Sequence, residues 1–306
     1  MVVTGDVHAA AVREQLPELD FANVLLEPSP RDSTAAIALA AAVLAERQPD
    51  VIIGSFAADH VILDQNKFEA AVTEAVAVAA SGKIVTIGIR PTEPSVAFGY
   101  IKRGAKLGSG SACAVAKFVE KPRLPKAKKY FESGDYLWNA GMFIAPANLL
   151  LEILAKSEPE LERGVREIAK AWDTADRDET MARIWPKLNK IAIDYSVAEP
   201  AAAGGLVAVI PAEFEWHDVG DFAAIAELQS EGRKKHLAVL GSARVLSDSS
   251  SGILVSETGR LVALIGLEDV IVVDTPDALL VTSKEHAQKV KSLVDVLRQS
   301  GHSELL

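Results

Sequence analysis

Two short segments of the 306-residue chain carry residue types suited to ligand chemistry. Phe118-Val119-Glu120-Lys121-Pro122 sets an acid, a cation and a rigid proline in succession at the end of the apolar run 112–119. Trp138-Asn139-Ala140-Gly141-Met142-Phe143 sets an amide and a glycine just before another strand-like run, 142–145. Polar residues at strand ends, with a glycine that lets backbone approach closely, suit a small anionic ligand. The pair points to a pocket for a phosphorylated polar molecule.

Carboxylates supply a second kind of chemistry. Asp59 follows the apolar run 51–56 within Ala57-Ala58-Asp59-His60. Ligands of open parallel sheets bind beyond the carboxyl ends of the strands, so Asp59 stands where a carboxylate meets a ligand or its metal. For a lone aspartate after a strand, a cap or turn is the commoner role. Asp218, in Glu215-Trp216-His217-Asp218-Val219-Gly220, is a second strand-end carboxylate, and alone it reads more readily as a turn former. Together they make a candidate Mg²⁺ site, because Mg²⁺ is commonly held by one or two carboxylates plus substrate phosphates. No Cys/His spacing suggests zinc. The neighbouring His60 and His217 are therefore expected to pack or to hydrogen-bond.

Weaker signals accompany these. Pro30-Arg31-Asp32-Ser33-Thr34 opens a helix, where an arginine at a positive helix end favours anions; a simple N-cap explains the same residues equally well. Phe98-Gly99-Tyr100-Ile101 either sets a glycine and a phenol beside a sugar or turns into a strand. Asp194, before Tyr195, either binds hydroxyls or caps the next turn of chain. Gly108-Ser109-Gly110 lacks the third glycine of a dinucleotide fingerprint, and the chain has no P-loop, nucleophile elbow or metalloprotease helix.

The elements that position these residues fall into two regimes. From Val24 to Ile89 helices and strands alternate: a helix capped by Ser33 or Thr34 and running to Arg47, a strand at 51–56, a helix at 68–80, a strand at 83–89. This predicts βαβ units and an α/β fold with a mixed, mostly parallel sheet. Helices are expected at 125–133, 147–156, 161–172, 179–188 and 222–229, with strands at 206–210 and 214–219. The polar run 230–235 is the candidate linker. Beyond it, short β-like runs at 238–246, 253–255, 261–264, 270–273 and 278–281 predict a small C-terminal β-rich domain. An amphipathic helix, 284–299, closes the chain. The expected domains are residues 1–232 and 233–306.

Composition narrows the function classes. A net charge of −10 argues against nucleic acid or an anionic membrane as main partner, while Lys121, Arg123, Lys126, Lys128 and Lys129 keep one region locally cationic. The single cysteine, Cys113, excludes an intrachain disulfide and fits a reducing, cytoplasmic setting. The start of the chain has neither the basic nor the apolar segment of a signal peptide, and the helical apolar run 35–45 is too short to span a membrane. The small domain and terminal helix can either mediate a homodimer or pack on their own core.

Taken in order, these islands resemble the sugar-nucleotide pyrophosphorylases, in particular the bacterial mannose-1-phosphate guanylyltransferases. The likeness starts at 14–19 and runs through Glu27-Pro28, Arg31 to Ala42, 57–62, 98–101, 118–122, 138–143, 193–197 and 216–220. The stretch 271–294 is similar to the family's C-terminal end. The resemblance implies a Rossmann-like nucleotidyltransferase core in which mannose 1-phosphate attacks the α-phosphorus of GTP and pyrophosphate leaves. It implies that Asp59 and Asp218 hold Mg²⁺ and that Lys121 neutralises the sugar phosphate. Glu120, Asn139 and Gly99 would contact the sugar, with Asp194 a neighbour, Arg31 to Thr34 would lie near the nucleotide, and Tyr100 and Gly141 are further candidate substrate-binding residues. Such transfers depend on positioning and charge neutralisation more than on a protein nucleophile.

The likeness departs from the family at the start. The family opens with a strand and a glycine-rich loop that wraps the triphosphate, and nothing before Glu14 matches it. The expectation is a core that lacks about 30–60 residues, one or two βα units, ahead of Met1. Residues Asp32-Ser33-Thr34 stand where the family usually has Asn-Thr-Ala. Two other readings remain: a non-catalytic sugar-nucleotide-binding regulator, and a thymidylyl- or uridylyltransferase acting on glucose 1-phosphate.

Overall fold

The computed structural model describes residues 1–230, 236–302 and 305. In chain order the first elements are β1 (Val2–Gly5), α1 (Ala9–Gln15), β2 (Val24–Glu27), α2 (Asp32–Arg47), β3 (Ile52–Ser55), β4 (His60–Ile62), α3 (Gln65–Ala79) and β5 (Ile84–Ile89). Then come β6 (Tyr100–Lys106), β7 (Cys113–Val119), α4 (Leu124–Ser133), β8 (Tyr136–Pro146), α5 (Ala147–Ser157), α6 (Pro159–Ala171) and α7 (Arg177–Ile184). A π-helical turn (Asp194–Ala198) leads into α8 (Glu199–Ala203), β9 (Val207–Ala212), β10 (Trp216–Asp218) and α9 (Phe222–Ser230). The rest comprises β11 (Leu237–Gly241), β12 (Arg244–Asp248), β13 (Gly252–Ser256), β14 (Leu261–Ile265), β15 (Val270–Asp274), β16 (Leu279–Ser283), a 3₁₀ segment (Lys284–Lys289) and α10 (Val290–Gln299). Two units result: residues 1–57 with 64–214, and residues 58–63 with 215–306. Apart from Ser230, the expected linker 230–235 lies outside the described residues.

In the first unit a six-stranded sheet has the order β3-β8-β5-β9-β7-β6, and β1 and β2 form a separate parallel pair. Strands β3, β5, β9 and β6 run one way, so the sheet is mixed. Strands β8 and β7 run against them, and β5–β9 is the parallel ladder among the described pairings of this sheet. That corrects the expected direct βαβ pairing: β8 enters between β3 and β5. Every residue of β5 is buried, as a central strand with no solvent face requires. Helix α2 is alanine-rich, which favours helix, and Ala35, Ala38, Leu39, Ala41 and Ala42 vanish into a core shared with α5 and α6. Its start differs from expectation. Ser33 and Thr34 do not cap it; the Ser33 hydroxyl accepts from the Ile193 N–H, and the Asp32 carboxylate accepts from the Ser33 N–H.

The second unit stacks short strands. β11, β13 and β15 run parallel in one ladder, β12 and β14 in another, and β16 closes the first antiparallel. The expected single run 238–246 is two strands, because the chain turns after Gly241. The expected closing helix likewise divides into the 3₁₀ segment and α10. Ile253, Leu254, Ile271 and Val272 fill the interior. The buried Asp274 carboxylate accepts from the Ser256 and Thr258 hydroxyls and pairs with Arg260 Nε at 3.2 Å. Among the described residues, no helix is long and apolar enough to cross a membrane.

Candidate functional site

The bend in β8 organises the first cluster. Its first residues pair with β6, Tyr100 opposite Trp138; its later residues pair with β3 and β5. The β5–β8 register slips between Thr86, opposite Phe143, and Gly88, opposite Asn139. Gly141, at φ +69°, lies within that slip, in a left-handed conformation that costs glycine little. The slip sets Asn139 into a buried network. Its backbone N–H donates to the Gly99 carbonyl (2.8 Å), its Oδ1 accepts from Thr86 Oγ1 (2.7 Å), and its Nδ2 donates to Asp194 Oδ1 (2.9 Å). Asp194 begins the π-helical turn, a feature often found at functional positions.

Glu120 and Lys121 follow the end of β7. The Glu120 side chain is 6% exposed and that of Lys121 61%, and Lys121 Nζ lies 3.5 Å from Glu120 Oε1. Glu120 Oε2 is buried with no hydrogen-bond partner among the described residues. Gly99 sits against that oxygen: a Cβ there would collide with it and meet Asn139 Cβ at 3.4 Å. Lys121 holds φ +39°, a conformation uncommon for a residue with a side chain and one found at functional positions. Burial, reinforced by the Asp194 charge, pushes Glu120 from 4.5 to about 7, against the pull of Lys121. Burial also raises Asp194, opposed by its own backbone N–H, Lys121 and the Asn139 amide. Glu199 accepts from the Glu120 N–H at 3.4 Å. Acceptor carboxylates around an unfilled buried oxygen, beside an exposed cation, suit a hydroxyl-rich molecule carrying a negative group.

Other expected ligand residues are placed differently. Thr34 is fully buried, with its hydroxyl on Ser196 Oγ (2.8 Å). Tyr100 is fully buried too, and its hydroxyl donates to the Ser95 carbonyl (3.0 Å). With no exposed surface, both hold neighbours in place. The Arg31 guanidinium donates to the carbonyls of Pro186 and Leu188 (2.5 and 3.3 Å), bracing the start of α2.

The second cluster lies in the other unit. β4 and β10 form a short antiparallel ribbon, His60 opposite Asp218 and Ile62 opposite Trp216, and the Val219 N–H donates to the Asp59 carbonyl (2.9 Å). Directly opposed residues share a face, so His60 and Asp218 project together. Donor atoms of Asp59, His60 and Asp218 lie within 4.8 Å of one another, with Asp59 exposed and the other two half-buried. This corrects the expected position of Asp59, which opens a separate ribbon instead of ending a strand of the main sheet. It also places His60, expected to pack or to hydrogen-bond, within a donor set. The adjacency of Asp59 and His60 was the available signal, and the missing element was the ribbon partner. His217 is engaged elsewhere, 3.0 Å from Glu215 Oε1. Two carboxylates and an imidazole with an exposed flank fit a divalent cation that completes its shell with water or phosphate oxygens.

The nucleotidyl transferase family model matches residues 1–235, three quarters of the chain and all of both clusters. The chain belongs to the nucleotidyl transferase family. A second family model, the mannose-phosphate isomerase/GMP-like β-helix domain, matches residues 243–297 of this family member. Relatives include the xanthan biosynthesis protein XanB of Xanthomonas campestris pv. campestris (strain B100), 37% identical over 99% of this chain and 64% of that protein. The mannose-1-phosphate guanylyltransferase of Escherichia coli (strain K12) is 35% identical over the same shares. The chain thus spans 64% of the length of these curated relatives. A crystal structure described as mannose-1-phosphate geranyltransferase from Thermus thermophilus superposes with a TM-score of 0.80 at 27% identity, covering 97% of this chain and 83% of that one.

Proposed function

We propose that this nucleotidyl transferase makes GDP-mannose from GTP and mannose 1-phosphate. A phosphate oxygen of the sugar phosphate attacks the α-phosphorus of GTP, the bond from that phosphorus to the bridging oxygen breaks, and pyrophosphate carries the displaced charge away. Glu120 and Asp194 accept hydrogen bonds from sugar hydroxyls, Asn139 fixes the Asp194 carboxylate, and Gly99 leaves room for the Glu120 carboxylate. Lys121 exchanges its partner Glu120 for the sugar phosphate, which lowers the repulsion between two anionic reactants. Asp59 and Asp218 hold Mg²⁺, which when bound neutralises charge on the phosphates.

The observation that carries this reading is the buried acceptor network of Glu120, Asn139 and Asp194 with an exposed Lys121 at its mouth, in a chain of this family. The relatives' names supply the sugar and the nucleotide. The protein, assayed as its host makes it, should convert GTP and mannose 1-phosphate to GDP-mannose in the presence of Mg²⁺. Preference for UTP or dTTP with glucose 1-phosphate would replace the substrate assignment. Tight sugar-nucleotide binding with no turnover on any pair would replace the enzyme by a sensor.

A further inference from the structure

We infer that His60 gives the cation held by Asp59 and Asp218 a third protein ligand, an imidazole nitrogen, so that the site takes Mn²⁺ and similar first-row divalent ions through mixed nitrogen and oxygen ligation. This rests on the proposal that the aspartate pair holds a cation, and the test below reads cation binding apart from transfer chemistry.

Three observations carry it. His60 and Asp218 are opposed in the β4–β10 ladder, so one face of a short ribbon presents both side chains. A ring nitrogen of His60 lies within 4.8 Å of a carboxylate oxygen from each aspartate, close enough for one ion to touch all three after small side-chain adjustments. Nδ1 of His60 is buried and has no hydrogen-bond partner among the described residues. A buried imidazole nitrogen without a partner is an unfavourable arrangement, and a cation ligated through that nitrogen would relieve it. The ring is also fixed in orientation, edge-on to Trp216 with centroids 5.3 Å apart.

The donor set decides the class of ion. Mg²⁺ favours oxygen and keeps its waters, and it gains little from an imidazole. Imidazole nitrogen suits first-row transition ions, whose affinity for a given nitrogen and oxygen site exceeds that of Mg²⁺ and rises along the series from Mn²⁺. The two carboxylates and the exposed flank at Asp59 leave room for water or phosphate oxygens. Mg²⁺ and Mn²⁺ therefore share the site, and His60 sets the margin between them.

The test is Mn²⁺ binding to the whole protein without nucleotide, followed by the free-ion electron paramagnetic resonance signal and by electron spin-echo modulation of the bound ion. The wild type should bind Mn²⁺ about tenfold or more tightly than Mg²⁺ and should show nitrogen modulation. His60→Gln should lose that modulation and weaken Mn²⁺ by about tenfold, with a much smaller change for Mg²⁺. His217→Gln should retain it. Labelling the wild type with ¹⁵N-histidine changes the modulation without altering the fold, so the result stands even if His60→Gln folds poorly. Bound Mn²⁺ that disappears in Asp59→Asn but never shows nitrogen coupling would overturn the role of His60 and leave the aspartate pair intact. A wild type that binds no Mn²⁺ would overturn both.

Discussion

Glu120 and Asp194 stand in a network that is already assembled, whereas Asp59 and Asp218 stand on a ribbon of three residues per strand with an exposed flank. In the first region the backbone and side chain of Asn139 bond Gly99, Thr86 and Asp194 at once, and one carboxylate oxygen of Glu120 is left over. In the second, donor atoms of two carboxylates and an imidazole converge within 4.8 Å of one another, with Asp59 exposed. The difference suits the two ligands proposed for them. A sugar is selected by hydroxyl geometry and needs acceptors that do not move, since buried polar groups discriminate best when each has a fixed partner. A hydrated cation exchanges water for phosphate during a reaction and needs an open side.

Substitutions in the two regions should therefore fail in different ways. The largest effect is expected at the ribbon: Asp59→Asn and Asp218→Asn should each cut turnover on the order of 10²–10³-fold with little change in melting temperature, because Asn keeps the shape of Asp and removes only its charge. Equal loss of turnover and of folding would place these residues in the structural class instead. Next, Lys121→Ala should raise KM for the sugar phosphate by about 10–100-fold with a smaller change in kcat; Lys121 is exposed, so stability should hold. An unchanged KM would detach Lys121 from the sugar phosphate.

Gly99→Ala should strike the buried network itself. The new methyl meets the Glu120 carboxylate and Asn139, and overpacking of this kind costs about 1–3 kcal/mol. Sugar-phosphate affinity should fall with stability, in contrast to Lys121→Ala. Calorimetric binding together with a melting curve separates the two cases.

The smallest effect concerns pH. Burial holds Glu120 at about 7 instead of 4.5, so between these values the folded protein retains a proton that the unfolded chain has released. This contribution to stability is complete below pH 4.5 and is lost as pH rises through about 7. Glu120→Gln should flatten that slope and be relatively favoured above pH 7, by on the order of 2 kcal/mol. Parallel pH–stability curves for wild type and variant would show that the Glu120 carboxyl is not buried as a proton-holding acid.

Much of the fold was legible in the residues alone. The alanine run of α2, the continuous apolar run of β5 and the proline and glycine bounding α4 are local signals, and local signals report local structure. The path of β8 was not legible, because a strand that changes neighbours at Asn139–Phe143 does so through pairings with β3, β5 and β6, which lie elsewhere in the sequence. At the site, Glu120, Lys121 and Asn139 stood out as polar residues at the ends of apolar runs. Thr34 and Tyr100 carried suitable chemistry in suitable segments, yet both are buried, and burial is a property of the assembled core. His60 fell the other way: beside Asp59 it read as a packing or hydrogen-bonding residue until the ribbon set Asp218 opposite it.

The proposed metal-assisted transfer of a nucleotidyl group to a sugar phosphate calls on both sets of residues. It is tested most simply by pyrophosphate release from GTP by the protein as its host makes it, measured with mannose 1-phosphate and Mg²⁺ each present or omitted. Release is expected only when all three are supplied, with GDP-mannose appearing in equal amount. Release that continues without mannose 1-phosphate, or that is unaffected by stripping divalent ions, would rule that chemistry out.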